Sequence, residues 1–157
     1  MKKTNAARFL DTKKVNYDLV EYDVDEADLS AIRVAEMLGQ NVEQVFKTLV
    51  LRGNAKGIFV AIIPGNEELN LKKAAKVSGN KNAEMVAMKE LLPLTGYIRG
   101  ACSPFGMKKT YPLFIHESCQ NFDFIFVSAG KRGMQIQIDP KDLISCANAR
   151  VCDLINV

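Results

Sequence analysis

The chain has 157 residues, 48% of them apolar and 25% charged, with a net charge of +3. That balance argues against disorder, and the length favours one domain, 1–157, able to bury a core without disulfides or metal. The longest strongly apolar stretch, residues 58–63, is far short of the roughly 20 residues of a transmembrane helix. The basic start at residues 1–5 has no apolar run behind it. A cytoplasmic protein with no membrane association is therefore expected.

In chain order, Thr4 or Asn5 is expected to cap a helix that carries Ala6, Ala7, Phe9 and Leu10 on one side. Residues 15–22 alternate loosely and read as a strand. Ser30 caps a helix through Ile32, Val34, Ala35 and Leu38 that stops at Gly39. The β-branched runs 45–51 and 58–63, joined by 52–57, read as a hairpin. Residues 71–77 form a Lys-rich helix ended by Gly79, and 88–92 a helical turn stopped by Pro93. The stretch 96–106 reads as a loop leading out of a short strand. Residues 113–116, 122–128 and 134–138 read as strands, the last two joined as a second hairpin by 129–133. Asp139 caps a helix with Pro140 in its first position, running to about Cys146. Residues 151–155 are a last strand or a helix end. Hairpins with interspersed helices imply an α+β fold with a mixed sheet.

The common catalytic machinery is missing. There is no G-x-S-x-G elbow, Walker loop or G-x-G-x-x-G, and one histidine, His116, which closes an apolar strand and reads as structural. Cys102, Cys119, Cys146 and Cys152 contain no C-x-x-C pair, and no metal site or other cofactor is expected. Basic clusters at Lys2/Lys3, Lys13/Lys14, Lys72/Lys73/Lys76, Lys108/Lys109 and Lys131/Arg132 are either solvated faces or, if several converge, a phosphate-seeking patch. Two features stand out. Lys47 lies on one strand face with Val45, Leu49 and Leu51, where it either snorkels from a strand end or reaches a cleft. Residues 96–106 hold glycines that can aim N–H groups at a carbonyl or phosphate, although the residues alone favour a plain connecting loop.

Phe46-Lys47-Thr48-Leu49, the helix with Lys72, Lys73 and Lys76, Thr95-Gly96-Tyr97, Gly100-x-x-Ser103-Pro104-x-Gly106-x-Lys108-Lys109 and Val127-Ser128-x-Gly130-Lys131-Arg132-Gly133 occur in this order. Together they resemble the YbaK/EbsC branch of the YbaK/ProX aminoacyl-tRNA editing family, over residues 4–155. The resemblance implies one domain with a mixed, mainly antiparallel, barrel-like sheet flanked by helices. It implies a deacylase that clears Cys-tRNA(Pro), and possibly Cys-tRNA(Cys), by attack of the substrate's own thiol, with prolyl-tRNA synthetase as a passing partner and the chain a monomer. Lys47 would grip the terminal adenosine or its phosphate. Gly100 and Ala101 would offer N–H groups to the ester carbonyl. Tyr22, Thr48, Ser103, Ser128 and Gln135 would contact the substrate, and Lys72, Lys73, Lys76, Lys108, Lys109, Lys131 and Arg132 the tRNA. Two departures bear on specificity: Ala101 stands where a second glycine is usual, and Gln135 where some relatives have an acid. Two other readings remain: an editing enzyme for alanine or serine that activates a water, and a non-catalytic module binding tRNA or synthetase.

Overall fold

A computed structural model of the chain describes residues 3–156, so Lys2 of the first basic cluster lies outside the described residues. Thr4 accepts a hydrogen bond from the Ala7 N–H and caps α1 (Asn5–Thr12), which buries Ala6, Ala7 and Leu10. β1 (Asp18–Glu21) is shorter than the alternation suggests, because its partner strand offers only the register Asp18↔Gln137 to Glu21↔Met134. α2 (Ala31–Leu38) is capped by Ser30 and closed by Gly39 at φ 68°. β2 (Phe46–Gly53) and β3 (Gly57–Pro64) form the first hairpin. α3 (Leu71–Val77) follows with Asn70 as cap.

Three differences from the sequence reading concern the middle of the chain. β4 (Ala83–Met85) is a three-residue edge strand on Leu51–Gly53, too short to leave a pattern. α4 (Met88–Thr95) runs through Pro93 and is closed by Gly96, whose N–H donates to the Leu92 carbonyl. Proline there deprives only the carbonyl of exposed Lys89, which water can satisfy. The 96–106 loop thus leaves a helix, where a strand was expected.

β5 (Leu113–His116) and a 3-10 turn (Glu117–Asn121) lead to β6 (Ile125–Ser128), which starts three residues later than expected because the chain is still turning. β7 (Met134–Ile138) completes the second hairpin, α5 (Pro140–Cys146) is capped by Asp139, and β8 (Arg150–Cys152) resolves the C-terminal ambiguity as a strand.

The strands make two sheets, ordered β4-β2-β3-β5-β8 and β1-β7-β6. β3–β5 and β5–β8 are parallel and the other ladders antiparallel, so the α+β, mainly antiparallel expectation holds. The barrel-like expectation holds only loosely: the sheets touch through a bridge between Val45 and Phe126, and no closed barrel forms. The main core, with Leu10, Phe46, Val50, Ile62, Phe105, Ile125 and Ile136, lies on one face of the larger sheet. Leu51, Phe59, Ile63 and Phe114 form a second cluster on its other face. His116 is buried and structural. Its Nδ1 accepts the Leu154 N–H at 3.2 Å, and burial holds its pKa down against the pull of Asp153.

One consequence of this topology shapes the site. Gly65 N–H donates to the Val45 carbonyl on the β3 side, whereas the Val50 carbonyl accepts from Val86 on the opposite side. Backbone polar groups alternate along a strand, so Thr48 presents its own to the edge away from β3. That edge is covered at Val45 by β6 and at Leu51–Gly53 by β4, and among the described residues no strand covers it between.

The far end of the 96–106 loop is fixed by a close backbone approach. Gly106 has φ 71°, and a Cβ there would lie 2.7 Å from the Asn5 carbonyl oxygen. Gly39 has a similar φ with open space around it. In urea denaturation, Gly106→Ala is expected to cost about 2–4 kcal/mol from strain plus overpacking. Gly39→Ala should cost only about 1 kcal/mol. Equal losses would refute the docking of α1 on this loop.

Candidate active site

The uncovered edge of β2 forms the floor of a cleft of about 620 Å³. Its walls come from the segment before and into α2 (Ala27–Ala31 and Val34), from β4 and α4 (Met85, Val86, Met88, Leu91), from the loop (Arg99, Gly100, Cys102) and from the second sheet (Ser128, Gln135). Lys47, Thr48, Gly100, Ser128 and Gln135 are thus brought together from four distant parts of the sequence.

Lys47 stands on the face of β2 that carries Leu49 and Leu51, both packed in the second cluster. Its Nζ donates to the Gly65 carbonyl at 3.3 Å and has no carboxylate within ion-pair distance among the described residues. Burial draws its pKa down, and Glu68 and Glu67 pull the other way. It reaches the cleft as a half-buried cation. Thr48 points to the opposite face. Ser128 and Gln135 stand directly opposite each other on β6 and β7. Ser128 Oγ accepts the Gly130 N–H at 3.2 Å. Gln135 is 5% exposed, and its Oε1, like Thr48 Oγ1, is buried with no donor from the described residues. Two acceptor oxygens without partners, at a desolvated site, are suited to a ligand that brings its own donors.

The loop is built, not slack. Tyr97 O–H donates to the Phe105 carbonyl, Phe105 N–H to Ser103 Oγ at 3.3 Å, and Ala101 N–H to the Ile98 carbonyl at 3.0 Å. Phe105 is fully buried and stacks on Phe9 of α1. Ser103 and Ala101 are therefore buried supports that do not line the cleft, and the Ala101 N–H is already in use. Gly100 and Cys102 line the cleft, and neither N–H has an acceptor among the described residues. Gly100, at φ 81°, is hemmed by Leu29 and Arg132: a Cβ would sit 3.2 Å from Leu29 Cδ1. Burial pushes the Cys102 thiol up to about 12, against a weaker lowering by Thr95. His116 is not among the cleft residues.

The remaining expected site residues sit around this centre. Tyr22 lines a small adjoining cavity that shares Gly100, Leu29 and Asp28 with the cleft. Lys73 is engaged by Asp153 and the Ile155 carbonyl, both at 2.8 Å, which ties α3 to the C-terminal segment. Arg132 braces two loops, donating to the Arg99 carbonyl at 3.0 Å and pairing with Glu26 at 3.2 Å. Lys72, Lys76, Lys108, Lys109 and Lys131 are exposed. Leu29, Met85, Met88, Arg99 and Cys102 line the cleft without having been singled out as binding residues. Leu29 and Val34 occupy the positions of a hydrophobic staple around the Ser30 cap, the one signal that could have placed Leu29.

The sequence profile of the aminoacyl-tRNA editing domain family matches residues 25–146, and the chain belongs to that family. It is 51% identical, over 97% of its length and 93% of the relative's, to a protein of Enterococcus faecalis (strain ATCC 700802 / V583) named as a candidate Cys-tRNA(Pro)/Cys-tRNA(Cys) deacylase, EbsC. It is 32% identical over 77 residues, 49% of this chain and 14% of the relative, to the proline–tRNA ligase of Thermosipho africanus (strain TCF52B). A crystal structure described as a candidate trans-editing enzyme for prolyl tRNA synthetase covers 100% of both chains, with TM-score 0.86 and 25% identity.

A thiol pushed up to about 12 holds little thiolate near neutrality. At pH 8, iodoacetamide followed by peptide mapping is expected to find Cys102 alkylated about a thousandfold more slowly than a free thiol. Alkylation at the rate of free cysteine would refute this burial.

Proposed function

We propose that the chain is a free-standing editing deacylase that removes cysteine from Cys-tRNA(Pro), and from Cys-tRNA(Cys) where it meets it, using the cysteinyl thiol as nucleophile. One observation carries this reading: among the described residues the cleft offers cations, free backbone N–H groups and unpartnered acceptors, no histidine lines it, and its one carboxylate, Asp28, is engaged by Ser30, whose N–H donates to it at 3.0 Å. Cys102 is protonated and His116 lies elsewhere. Without a protein nucleophile the attack falls to the substrate's thiol or to a water, and this reading assigns it to the thiol.

In this mechanism the thiol sulfur bonds to the ester carbonyl carbon while the bond to the ribose oxygen breaks. The thiol proton ends on that oxygen, so the tRNA leaves with its hydroxyl restored and a strained thiolactone is released for water to open. Holding thiol and carbonyl in attack geometry supplies several kcal/mol, up to about 7–11 in the best cases. The N–H groups of Gly100 and Cys102 receive the developing oxyanion, each worth about 3 kcal/mol. Lys47 holds the terminal adenosine's phosphate or ribose end, and a half-buried ammonium there binds more strongly than one in water. Thr48 Oγ1 and Gln135 Oε1 accept from the α-ammonium or the thiol. Gln135 does this without charge, so it orients the amino acid more than it anchors it. The exposed lysines contact the tRNA backbone, with no sequence read. Prolyl-tRNA synthetase fits as a transient partner that delivers the right tRNA to a cytoplasmic monomer. An editing site is needed because a synthetic site that admits proline rejects a ligand of similar size by only about 1–3 kcal/mol.

Deacylation of Cys-tRNA(Pro), Ala-tRNA(Pro) and Ser-tRNA, by wild type, Lys47→Ala and Cys102→Ala, tests this reading. Cysteine alone is expected to be released, with Lys47→Ala lowering the rate about a hundredfold or more. Cys102→Ala should stay within about threefold, since its backbone N–H is retained. Release of alanine or serine would replace the thiol with an activated water. Binding without release of any amino acid would establish a non-catalytic module.

A further inference from the structure

Among the described residues, the large apolar side chains that stand exposed are Ile32, Leu71, Met85, Met88, Leu92 and Ile98. Single exposed residues of this kind need no explanation. Here four of the six fall within residues 85–98, on β4, α4 and the turn that follows. Met88 and Leu92 are four apart on α4 and share a face. Met85 and Met88 line the cleft mouth, so the strip begins at the site and runs outward from it.

Its charge is one-sided. Lys89 on α4, Arg99 next to Ile98, and Lys108 and Lys109 after the loop are exposed, and none forms an ion pair among the described residues. The stem of Lys108 lies over Gly96 at the end of α4. The acids of this region, Glu84 and Glu90, act mainly on Arg52, which Glu90 pairs directly, with Lys89 a lesser influence on Glu90. An apolar strip edged by free cations complements a single-stranded nucleic acid, whose bases are flat and apolar and whose linkers are anionic. Methionine's polarizable thioether suits contact with a π face, in place of the usual aromatic platform.

We propose that this strip seats the unpaired 3′ end of the tRNA. The bases of the last nucleotides lie on Met85, Met88, Leu92 and Ile98, and the phosphates face Lys89, Arg99, Lys108 and Lys109. The terminal aminoacyl ester is thereby led into the cleft. The inference rests on the editing reading and gives it a side and a direction of approach.

The test compares kcat/KM on Cys-tRNA(Pro) with kcat/KM on 2′(3′)-O-cysteinyladenosine, which lacks every nucleotide beyond the last. Leu92→Glu and Ile98→Glu change exposed side chains outside the cleft, and Lys109→Glu reverses a charge. In each, the ratio of tRNA to nucleoside efficiency is expected to fall about tenfold, mainly through KM on tRNA. A ratio constant within about twofold in Leu92→Glu and Ile98→Glu overturns the proposal, whatever Lys109→Glu does. A constant ratio accompanied by lost binding to purified prolyl-tRNA synthetase overturns it in favour of a protein-docking face. If wild type cleaves neither ester, the editing reading fails, and the strip is judged by binding of an uncharged acceptor minihelix with an unpaired CCA end. Binding that Leu92→Glu weakens about tenfold upholds the strip, and binding it leaves intact, or no binding by wild type, overturns it.

Discussion

An incomplete strand pairing organises this protein. β2 is paired with β3 along its whole length, but among the described residues its other edge is covered only at its two ends, by β6 at Val45 and by β4 from Leu51. An open strand edge is ordinarily a liability that folds bury or blunt. Here it is enclosed by the segment leading into α2, by α4 and by the 96–106 loop, so unsatisfied polarity is kept inside a cleft. Lys47 and Thr48, adjacent in sequence, flank this gap on opposite faces of the strand. That arrangement lets one dipeptide present a cation and an unpartnered acceptor to the same cleft.

The walls are held by contacts whose strength is local and specific. Arg132 joins Glu26 to the Arg99 carbonyl, bracing two loops on either side of Gly100. Phe105 and Gly106 fasten the far end of the loop to α1. A site that relies on placing a substrate's own nucleophile needs such fixity, because its rate advantage comes from geometry and fixed dipoles. The buried Cys102 fits this scheme: its side chain fills space, and its backbone N–H has no acceptor among the described residues.

Much of the fold was legible where local chemistry and pattern agree. Ser30 with Gly39, and Asp139 with Pro140, bound their helices through caps that act within a few residues. The two hairpins show as β-branched runs around glycine turns. β4 was not legible, since three residues on an edge carry no period. Pro93 misled, because its cost depends on whether the orphaned carbonyl is wet, and that is a tertiary fact. Within the site, Lys47 was conspicuous as a charge on an apolar face. The occupation of the Ala101 N–H by Ile98, the pairing of Lys73 with Asp153 and the bracing by Arg132 all depend on partners that no spacing reveals. Gln135 drew notice as a departure from relatives, but its lack of any donor became visible only with the surrounding side chains in place.

The central claim is that the substrate's thiol, and no group of the protein, attacks the ester. S-methylcysteinyl-tRNA(Pro) tests this most directly, because it keeps the amino acid and the tRNA but blocks the sulfur. It should compete with Cys-tRNA(Pro) for the enzyme while being deacylated at least about a hundredfold more slowly. Release of S-methylcysteine at a rate comparable to that of cysteine would contradict the account and assign the attack to water or to the protein.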